Sequence, residues 1–228
     1  MLRFEPGPYA ASTGVYQYML SVTQIKLDDF PTNPSVLAAN VDGCTCARRQ
    51  LEFLCGRICA ERALRDLGVL NSNVRRAIDR APVWPPGVVG SISHTHEFAA
   101  AAIGLSTKFQ SLGVDSERVV TEEVATTIRH YCLTSSEQAW LSRCSNNSSS
   151  LLSTLFFSAK ESIWKALYPL IQLFLEFQDV EISYFDPITR CFPVCLKSSC
   201  ARRACARYEI AGRFRVSGNF VHTSCEIT

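Results

Sequence analysis

The chain has 228 residues, of which 47% are hydrophobic, 19% charged and 10% aromatic. This composition excludes a disordered segment, which would be poor in hydrophobic residues and usually rich in net charge. The 23 basic and 21 acidic residues leave a formal charge of +2, which is too balanced to indicate binding to nucleic acid or to a membrane surface. We therefore expect the function to reside in individual sites.

The eleven cysteines do not indicate a disulfide scaffold, because their number is odd and the chain is far longer than small disulfide-stabilised domains. Most of them, including Cys55, Cys59, Cys132 and Cys195, stand among apolar neighbours, where a reduced thiol serves as a small core residue. The first residues lack the apolar core of a signal peptide, and the longest apolar stretches are too short or interrupted to cross a bilayer. The sequence predicts a cytoplasmic protein with free thiols.

The N-terminal half predicts one long helix and several strands. Residues 16–27 alternate apolar and polar side chains imperfectly, as an opening strand does. Residues 46–67 repeat apolar side chains at helical spacing, and Gly68 provides the stop. A turn is expected at residues 84–87. Three short strands are expected after it, at residues 91–95, 98–105 and 110–115.

The pattern starts again near residues 106–110, which predicts a second lobe. Residues 180–227 resemble strands, and because no crossover helices separate the strands, they are expected to pair mostly antiparallel. The sequence thus predicts an α+β fold of two similarly sized lobes. The helices expected in the second lobe cover residues 122–132, 135–144 and 151–167, with a loop at residues 145–150.

Two acidic residues stand two positions apart in the segment Gly113-Val-Asp-Ser-Glu117. On a strand, alternate side chains share a face, so Asp115 and Glu117 would lie side by side. Two adjacent carboxylates repel each other, which raises the pKa of one of them unless a cation lies between them. Mg²⁺ prefers such oxygen ligands. The alternative is a solvated edge strand with alternating polar residues.

A second acidic candidate lies on the long helix, where Glu161 and Lys165 are one turn apart in Phe157-Ser-Ala-Lys-Glu-Ser-Ile-Trp-Lys165. An ordinary exposed ion pair at this spacing is common and contributes only about 0.3–0.5 kcal/mol. The functional alternative is a third metal carboxylate followed by a phosphate-binding ammonium group.

Histidines and arginines in the first half suggest phosphate or metal binding. His94 and His96 form a His-x-His pair that suggests zinc, but a zinc site needs three or four ligands and the nearest cysteine pair, Cys44 and Cys46, is isolated. Hydrogen bonding of His94 to a phosphate and a structural histidine both stay open. From Arg48 to Arg80 there are eight arginines against four acids, which suits a polyphosphorylated ligand or a solvated helix face.

Together and in this order, three segments resemble the signature motifs of the 4′-phosphopantetheinyl transferases. They are Gly90-Ser-Ile-Ser-His94, Gly113-Val-Asp-Ser-Glu117 and Phe157-Ser-Ala-Lys-Glu-Ser-Ile-Trp-Lys165. Trp84-Pro85 and the helix with Arg49 and Gly56-Arg57 are similar to the bacterial enterobactin-type branch, which serves siderophore, polyketide and lipid synthases. The resemblance covers roughly residues 45–180.

The resemblance implies a pseudo-twofold pair of similar lobes in a monomer, with coenzyme A bound in the cleft between residues 1–108 and 109–228. It implies transfer of the phosphopantetheine arm from coenzyme A to a serine hydroxyl of an acyl- or peptidyl-carrier protein, which releases adenosine 3′,5′-bisphosphate. Mg²⁺, or Mn²⁺, would be required. No nucleic acid or membrane is implied as a partner.

The resemblance also implies a role for each motif residue. Asp115, Glu117 and Glu161 match the metal carboxylates, and Lys165 matches the lysine that contacts the phosphates. Glu161, or a metal-bound water that it orients, would be the base for the carrier serine. The expected coenzyme A-binding residues are Arg49, Arg57, Arg76, Arg80, Ser93, His94, Lys160 and Lys165.

Two departures from the family pattern stand beside the paired carboxylates. Ser116 replaces the usual apolar residue, and we expect it to point away from the metal and to alter packing rather than activity. Arg118 replaces a frequent lysine and keeps its charge. Ser116 and the cysteine-rich C-terminal region leave open a non-catalytic module that binds coenzyme A or a carrier protein. A zinc protein built on His94, His96 and nearby cysteines is a third alternative.

Overall fold

The structure is a computed structural model, and its contacts divide the chain into two units. The first unit consists of the described residues of Met1–Pro8 and Gly14–Leu105, and the second of those of Tyr9–Thr13 and Ser106–Thr228. Helices and sheets occur in both, which confirms the predicted α+β fold. The functional roles predicted for residues 1–108 and 109–228 stay predictions. The residues that the structure describes are 5–9, 14–23, 47–70, 73–144 and 149–228.

The first unit contains one long helix and a four-stranded antiparallel sheet in the order β1-β2-β6-β5. A separate two-stranded pair joins β3 to β4. The elements are β1 (Glu5–Pro6), β2 (Tyr16–Ser21), α1 (Ala47–Asp66), β3 (Arg75–Arg76), β4 (Pro82–Val83), β5 (Val88–His94) and β6 (Phe98–Leu105).

Small side chains let α1 approach the sheet closely. A Cβ atom on Gly56 would lie 2.7 Å from Cγ2 of Ile92 on β5, a distance that real Cβ atoms do not show. The thiol of Cys59, also on α1, donates to the carbonyl of Ala99 on β6 at 3.5 Å. The predicted helix is therefore present. The predicted first strand is shorter than expected, because β2 ends at Ser21 and residues 24–27 lie outside the described residues.

The second unit also packs a long helix against a four-stranded antiparallel sheet, here in the order β7-β12-β11-β9, and β8 pairs with β10. A 3₁₀ turn at Phe177–Asp179 precedes β8. The elements are β7 (Ser111–Arg118), α2 (Glu122–Tyr131), α3 (Ser135–Arg143), α4 (Ser149–Ile171), β8 (Val180–Ile182), β9 (Cys191–Phe192), β10 (Val194–Leu196), α5 (Ser199–Cys205), β11 (Ile210–Ser217) and β12 (Phe220–Ile227).

The longest helix of the second unit starts earlier than the sequence predicts. Ser149 and Ser150 were expected in a loop but belong to α4, while residues 145–148 lie outside the described residues. The guanidinium of Arg129 on α2 donates to the Ser149 hydroxyl at 2.7 Å, and the Ser150 hydroxyl donates to Glu122 at 2.8 Å. These contacts with α2 stabilise the first turn of α4. Because they join different segments of the chain, the local sequence pattern does not predict them.

The region expected to be strand-like, residues 180–227, also contains the short helix α5, which buries Ala201 and Cys205. The expected burial of Cys55, Cys59 and Cys132 is found, whereas Cys195, the middle residue of β10, is exposed, so its assignment to the core was wrong. All nine cysteines within the described residues are free thiols. None of the helices in the described ranges has both the length and the apolar character needed to cross a membrane.

Candidate active site

Strand β7 brings two carboxylates against α4 because a glycine lets the two backbones meet. Gly113, Asp115 and Glu117 occupy alternate positions and so share one face of the strand. A Cβ atom on Gly113 would lie only 1.9 Å from the carbonyl oxygen of Ser162 and 2.6 Å from the amide nitrogen of Ala166. This close approach is possible only for glycine, and it places the carboxylates beside the middle of the helix.

Lys165 on α4 reaches back to the strand. Its ammonium donates to Oδ1 of Asp115 at 2.7 Å and to the carbonyl of Val114 at 3.2 Å. Asp115 is buried, whereas 24% of the Lys165 side chain stays accessible. Burial alone would lower the pKa of Lys165, but the charges of Asp115, Glu161 and Glu117 raise it, so the ammonium stays charged.

The remaining two carboxylates lie within electrostatic range of this pair. The pKa of Glu117 is raised to about 7 by burial first and then by the charges of Asp115 and Glu161, which Lys165 only partly opposes. Burial also raises the pKa of Glu161, to which Asp115 adds and against which Lys165 acts. Four predicted residues, Asp115, Glu117, Glu161 and Lys165, are therefore gathered into one cluster with an excess of negative charge.

The chemistry of this cluster fits a hard divalent cation. Carboxylate oxygens are the ligands that Mg²⁺ takes, and a cation would relieve the repulsion that raises the pKa of Glu117. As they stand, the described residues contain no group of three or more histidine, cysteine, aspartate or glutamate side chains closed around a common point. The Lys165 ammonium instead holds Asp115.

A small, mostly apolar cavity of about 120 Å³ opens beside Glu161. Trp164, Phe174 and Phe177 form part of its wall. Lys160 also borders it, but the Lys160 ammonium bonds to Glu137 at 2.7 Å and to the carbonyls of Cys132 and Phe177 at 2.8 Å each. Three protein acceptors thus occupy the three hydrogens of this ammonium group. Contact between Lys160 and a ligand stays a prediction.

Ser116 lies on the opposite face of β7 from the carboxylates, as strand alternation requires. It is fully buried, and its hydroxyl lies 3.0 Å from Nδ1 of His222 and donates to the phenol of Tyr9 at 3.0 Å. Burial, with a contribution from Arg215, lowers the pKa of His222 to about 4. The serine is therefore part of a buried polar cluster with Tyr9 and a neutral His222, which we call the Tyr9–Ser116–His222 cluster.

In the first unit, two of the predicted arginines lie within electrostatic range of each other. Burial first, and then the charge of Arg76, lower the pKa of Arg57 to about 10. The Arg57 guanidinium stacks on the ring of Phe53, 4.7 Å from its centre. Across the described part of the chain, its Nε atom is buried without a hydrogen-bond partner. A buried cation beside a second cation, with a donor left over, is typical of an anion-binding site.

The other predicted residues of the first unit are distributed differently. His94 lies at the end of β5 with Nδ1 3.5 Å from Oε2 of Glu52, whereas the buried Ser93 is on the opposite face of that strand. Arg49 and Arg80 are exposed, and Arg80 has a positive φ of 73° in the turn between β3 and β4. Their contacts with a ligand stay predictions.

Comparison with known proteins identifies the family. Residues 39–104 match the model of the 4′-phosphopantetheinyl transferase N-terminal domain, and residues 111–209 match that of the 4′-phosphopantetheinyl transferase superfamily. The transferase Svp of Streptomyces mobaraensis is 34% identical over 73% of this chain and 69% of its own. The chain belongs to the 4′-phosphopantetheinyl transferase family.

The enterobactin-type branch of the 4′-phosphopantetheinyl transferases is confirmed as well. Enterobactin synthase component D of Salmonella typhi is 40% identical over 52% of this chain and 48% of its own. The chain spans about half to two thirds of the length of the curated relatives that it matches. A solved structure, the Chronobacterium ammoniagenes ACPS-CoA complex, aligns with 51% of this chain and 94% of its own at 16% identity, with a TM-score of 0.40.

In this member of the family, sequence reasoning overlooked Glu52 and the Tyr9–Ser116–His222 cluster. Glu52 could have been found, because it shares helical spacing with Gly56, Cys59 and Ala63 and so puts a carboxylate on the buried stripe of α1. No comparable local signal marks the cluster, since its members are more than 100 residues apart. Ser116 and His222 meet through the pairing of β7 with β12, and Tyr9 contacts them from outside either strand.

Proposed function

We propose that this protein transfers the 4′-phosphopantetheine arm of coenzyme A to a serine hydroxyl of an acyl- or peptidyl-carrier protein. The observation that carries the proposal is the cluster of Asp115, Glu117, Glu161 and Lys165, which lies within a segment that matches the superfamily model. The family name states the transferred group, and coenzyme A is the donor that such a transfer needs.

In the proposed reaction, the serine oxygen attacks the phosphorus that carries the pantetheine arm. A new P–O bond forms to the serine, the pyrophosphate P–O bond breaks, and adenosine 3′,5′-bisphosphate leaves with the bonding electrons. Glu161 takes the serine proton, a role that its burial supports because burial raises its pKa and makes it a stronger base. Lys165 supplies a fixed positive charge for the phosphates beside Asp115.

Mg²⁺, or Mn²⁺, would be held by Asp115, Glu117 and Glu161, and would supply charge neutralisation for the pyrophosphate. Arg57 and Arg76 would bind phosphate groups of coenzyme A, because the two like charges affect each other and Nε of the buried Arg57 has no hydrogen-bond partner within the described residues. We assign His94, Arg49 and Arg80 to the same phosphate groups, and Ser93 and Lys160 to the surroundings of the ligand.

The test is a mass measurement on a carrier domain incubated with the protein, coenzyme A and Mg²⁺. We expect the mass of the carrier to rise by one phosphopantetheine arm. The Asp115→Ala variant should lose turnover by about a hundredfold or more, because the charged partner of Lys165 and a metal carboxylate disappear together. Asp186→Ala, in an exposed turn, is the matched control and should keep normal turnover.

No mass shift on siderophore-, polyketide- and fatty-acid-type carriers would contradict the proposal. Near-normal turnover of Asp115→Ala would contradict the metal assignment alone. A non-catalytic binding module is the second candidate, and it is favoured by the Lys165 ammonium that already occupies Asp115. Calorimetry that detects coenzyme A binding without any product would support that candidate.

We further propose that the protein acts as a cytoplasmic monomer without nucleic-acid or membrane partners. The nine free thiols in the described residues suit a reducing compartment, and the formal charge of +2 gives no strong electrostatic attraction to polyanions. Siderophore, polyketide or non-ribosomal peptide synthesis would provide the carrier domains. Size-exclusion chromatography with light scattering tests the oligomeric state.

A further inference from the structure

Glu52 is a buried carboxylate that contacts two exposed histidines. Only 4% of Glu52 is accessible, although its side chain ends in a carboxyl group. Its Oε1 atom lies 2.9 Å from Nδ1 of His96, and its Oε2 atom lies 3.5 Å from Nδ1 of His94. Arg48 adds a weaker contact, with Nε 3.7 Å from Oε1. A buried charge is expensive unless it is paired, so this arrangement needs the two imidazoles.

The fold explains why the carboxylate and the histidines meet. Glu52 lies one helical turn before Gly56, whose missing side chain lets α1 contact Ile92 on β5. Ile92 and His94 share the face of β5 that points to α1, because they are two residues apart on a strand. Glu52 is therefore presented directly to His94.

The turn that carries His96 is also fixed. The hydroxyl oxygen of Thr95 accepts hydrogen bonds from the amides of Glu97 and Phe98, both at 3.1 Å. The guanidinium of Arg48 donates to the carbonyl oxygen of His96 at 2.8 Å. His96 is thus held from both its backbone and its ring.

The same ring nitrogen of both histidines faces Glu52, which determines what the other nitrogen can do. A carboxylate only accepts hydrogen bonds, so Nδ1 of His96, which bonds to Glu52 at 2.9 Å, carries a hydrogen. Nδ1 of His94 makes an ion-pair contact with the same carboxylate at 3.5 Å. The Nε2 atoms are on the far side of each ring, and the side chains of His94 and His96 are 51% and 77% accessible. In the charged imidazole, Nε2 also carries a hydrogen and can donate to a phosphate oxygen.

We propose that Glu52 is a positioning residue that holds His94 and His96 as a pair of imidazole donors for a phosphate group of coenzyme A. This inference rests on the proposed function, and it adds His96 and Glu52 to the residues that recognise the donor substrate. Glu52 itself does not touch the substrate; it fixes which ring nitrogen of each histidine faces outward.

The first experiment measures the ¹⁵N chemical shifts of the histidine rings in the wild-type protein and in Glu52→Gln. In the wild type we expect Nδ1 of both His94 and His96 to carry a hydrogen, and we expect coenzyme A to bring Nε2 into its protonated state, because only the charged imidazole donates to a phosphate from Nε2. In Glu52→Gln the preference for protonated Nδ1 should be lost. A purely structural role of Glu52 would leave these signals unchanged.

The second experiment measures coenzyme A affinity by calorimetry, together with KM and kcat in the carrier assay. We expect Glu52→Gln to weaken coenzyme A binding and to raise KM for coenzyme A by about tenfold, with little change in kcat, because one charge-assisted contact is weakened. His96→Ala should weaken binding by several fold. Glu61→Gln, the same change further along α1, is the control and should bind normally. Measuring the binding of 3′-dephospho-coenzyme A identifies the phosphate group concerned. If the histidines contact the 3′-phosphate, the wild type and Glu52→Gln should bind this shortened ligand with equal affinity.

The outcomes separate this inference from the proposed function. If the wild type binds coenzyme A and Glu52→Gln and His96→Ala bind it equally well, the inference is wrong while the function stands. If the wild type binds no coenzyme A, the proposed function fails. A folded Glu52→Gln variant whose kcat falls while KM is constant would also overturn the positioning role. Should Glu52→Gln fail to fold, the wild-type ring shifts and His96→Ala decide the question.

Discussion

The Glu117 carboxyl changes its ionisation near neutral pH, and this has a measurable effect on stability. Its pKa in the folded state is about 7, against 4.5 for an ordinary glutamate, because burial, Asp115 and Glu161 all disfavour its charge. Since the folded state holds this proton more tightly than the unfolded state, the free energy of unfolding should fall as pH rises from 4.5 to 7.

Replacing Glu117 by glutamine should remove this dependence. As the pH rises from about 5 to about 7.5, we expect the free energy of unfolding of Glu117→Gln to increase by about 2 kcal/mol relative to that of the wild type. This value is a discounted conversion of the difference between the pKa of Glu117 in the folded state and in the unfolded state. Urea denaturation in the presence of a chelator measures it. Parallel pH profiles for the two proteins would show that Glu117 does not titrate as described.

At the scale of secondary structure, the contact between β7 and α4 sets the geometry of the acidic cluster. Gly113→Ala would push a methyl group to within 1.9 Å of the Ser162 carbonyl, so the helix backbone must move away from the strand. We expect a loss of stability of about 3 kcal/mol. Turnover should also fall, because Asp115 is two residues further along β7.

The control for this change is Gly218→Ala in the turn between β11 and β12. No atom lies within 4 Å of the added methyl group there, but the positive φ of 56° is unfavourable for alanine. We expect a loss of about 1 kcal/mol and normal turnover. Equal activities of the two alanine variants, measured by the carrier mass shift, would contradict the role given to Gly113.

A second contact at this scale is the buried pair of Lys160 and Glu137. Glu137 also accepts hydrogen bonds from the amides of Thr134 and Ile182, so the pair joins the start of α3 to α4 and β8. We expect Lys160→Met to destabilise the protein by about 3–5 kcal/mol, because a buried carboxylate loses its partner. The double change with Glu137→Gln should recover part of this loss, as thermal unfolding would measure.

The result also bears on the predicted contact between Lys160 and the ligand. If Lys160→Met keeps its stability but binds coenzyme A less well, the ammonium acts on the ligand rather than on the fold. Loss of stability with coenzyme A affinity retained by the folded fraction would identify it as structural.

For the molecule as a whole, ligand binding should appear as a change in thermal stability. At a hundred times its dissociation constant, a ligand that binds only the folded state stabilises it by about 2.7 kcal/mol. We expect coenzyme A with MgCl₂ to raise the Tm, and a chelator to reverse the part due to the metal. Asp115→Asn should lose the metal-dependent part and keep the rest. An unchanged Tm in the wild type at saturating concentrations would contradict both binding assignments.

Sequence patterns predict the local features of this protein but not the contacts between its distant segments. Helical spacing predicts α1 and places Glu161 and Lys165 one turn apart, and strand alternation predicts the shared face of Asp115 and Glu117; all of these are local properties. The early start of α4 depends on Arg129 and Glu122 of another helix. The partners of Glu52 depend on where β5 meets α1, so neither could be obtained from spacing alone.

The phenol of Tyr9 has a practical consequence for anyone who shortens this protein. A version that starts at residue 14 would keep every side chain assigned to chemistry. It would nevertheless remove Tyr9, whose phenol accepts a hydrogen bond from Ser116 and whose ring packs edge-to-face with His222. Ser116 belongs to β7, the strand that bears Asp115 and Glu117. Trimming the amino end for expression or crystallisation would thus remove contacts behind the acidic cluster while leaving the motifs intact, and Tyr9 should be retained in any shortened version.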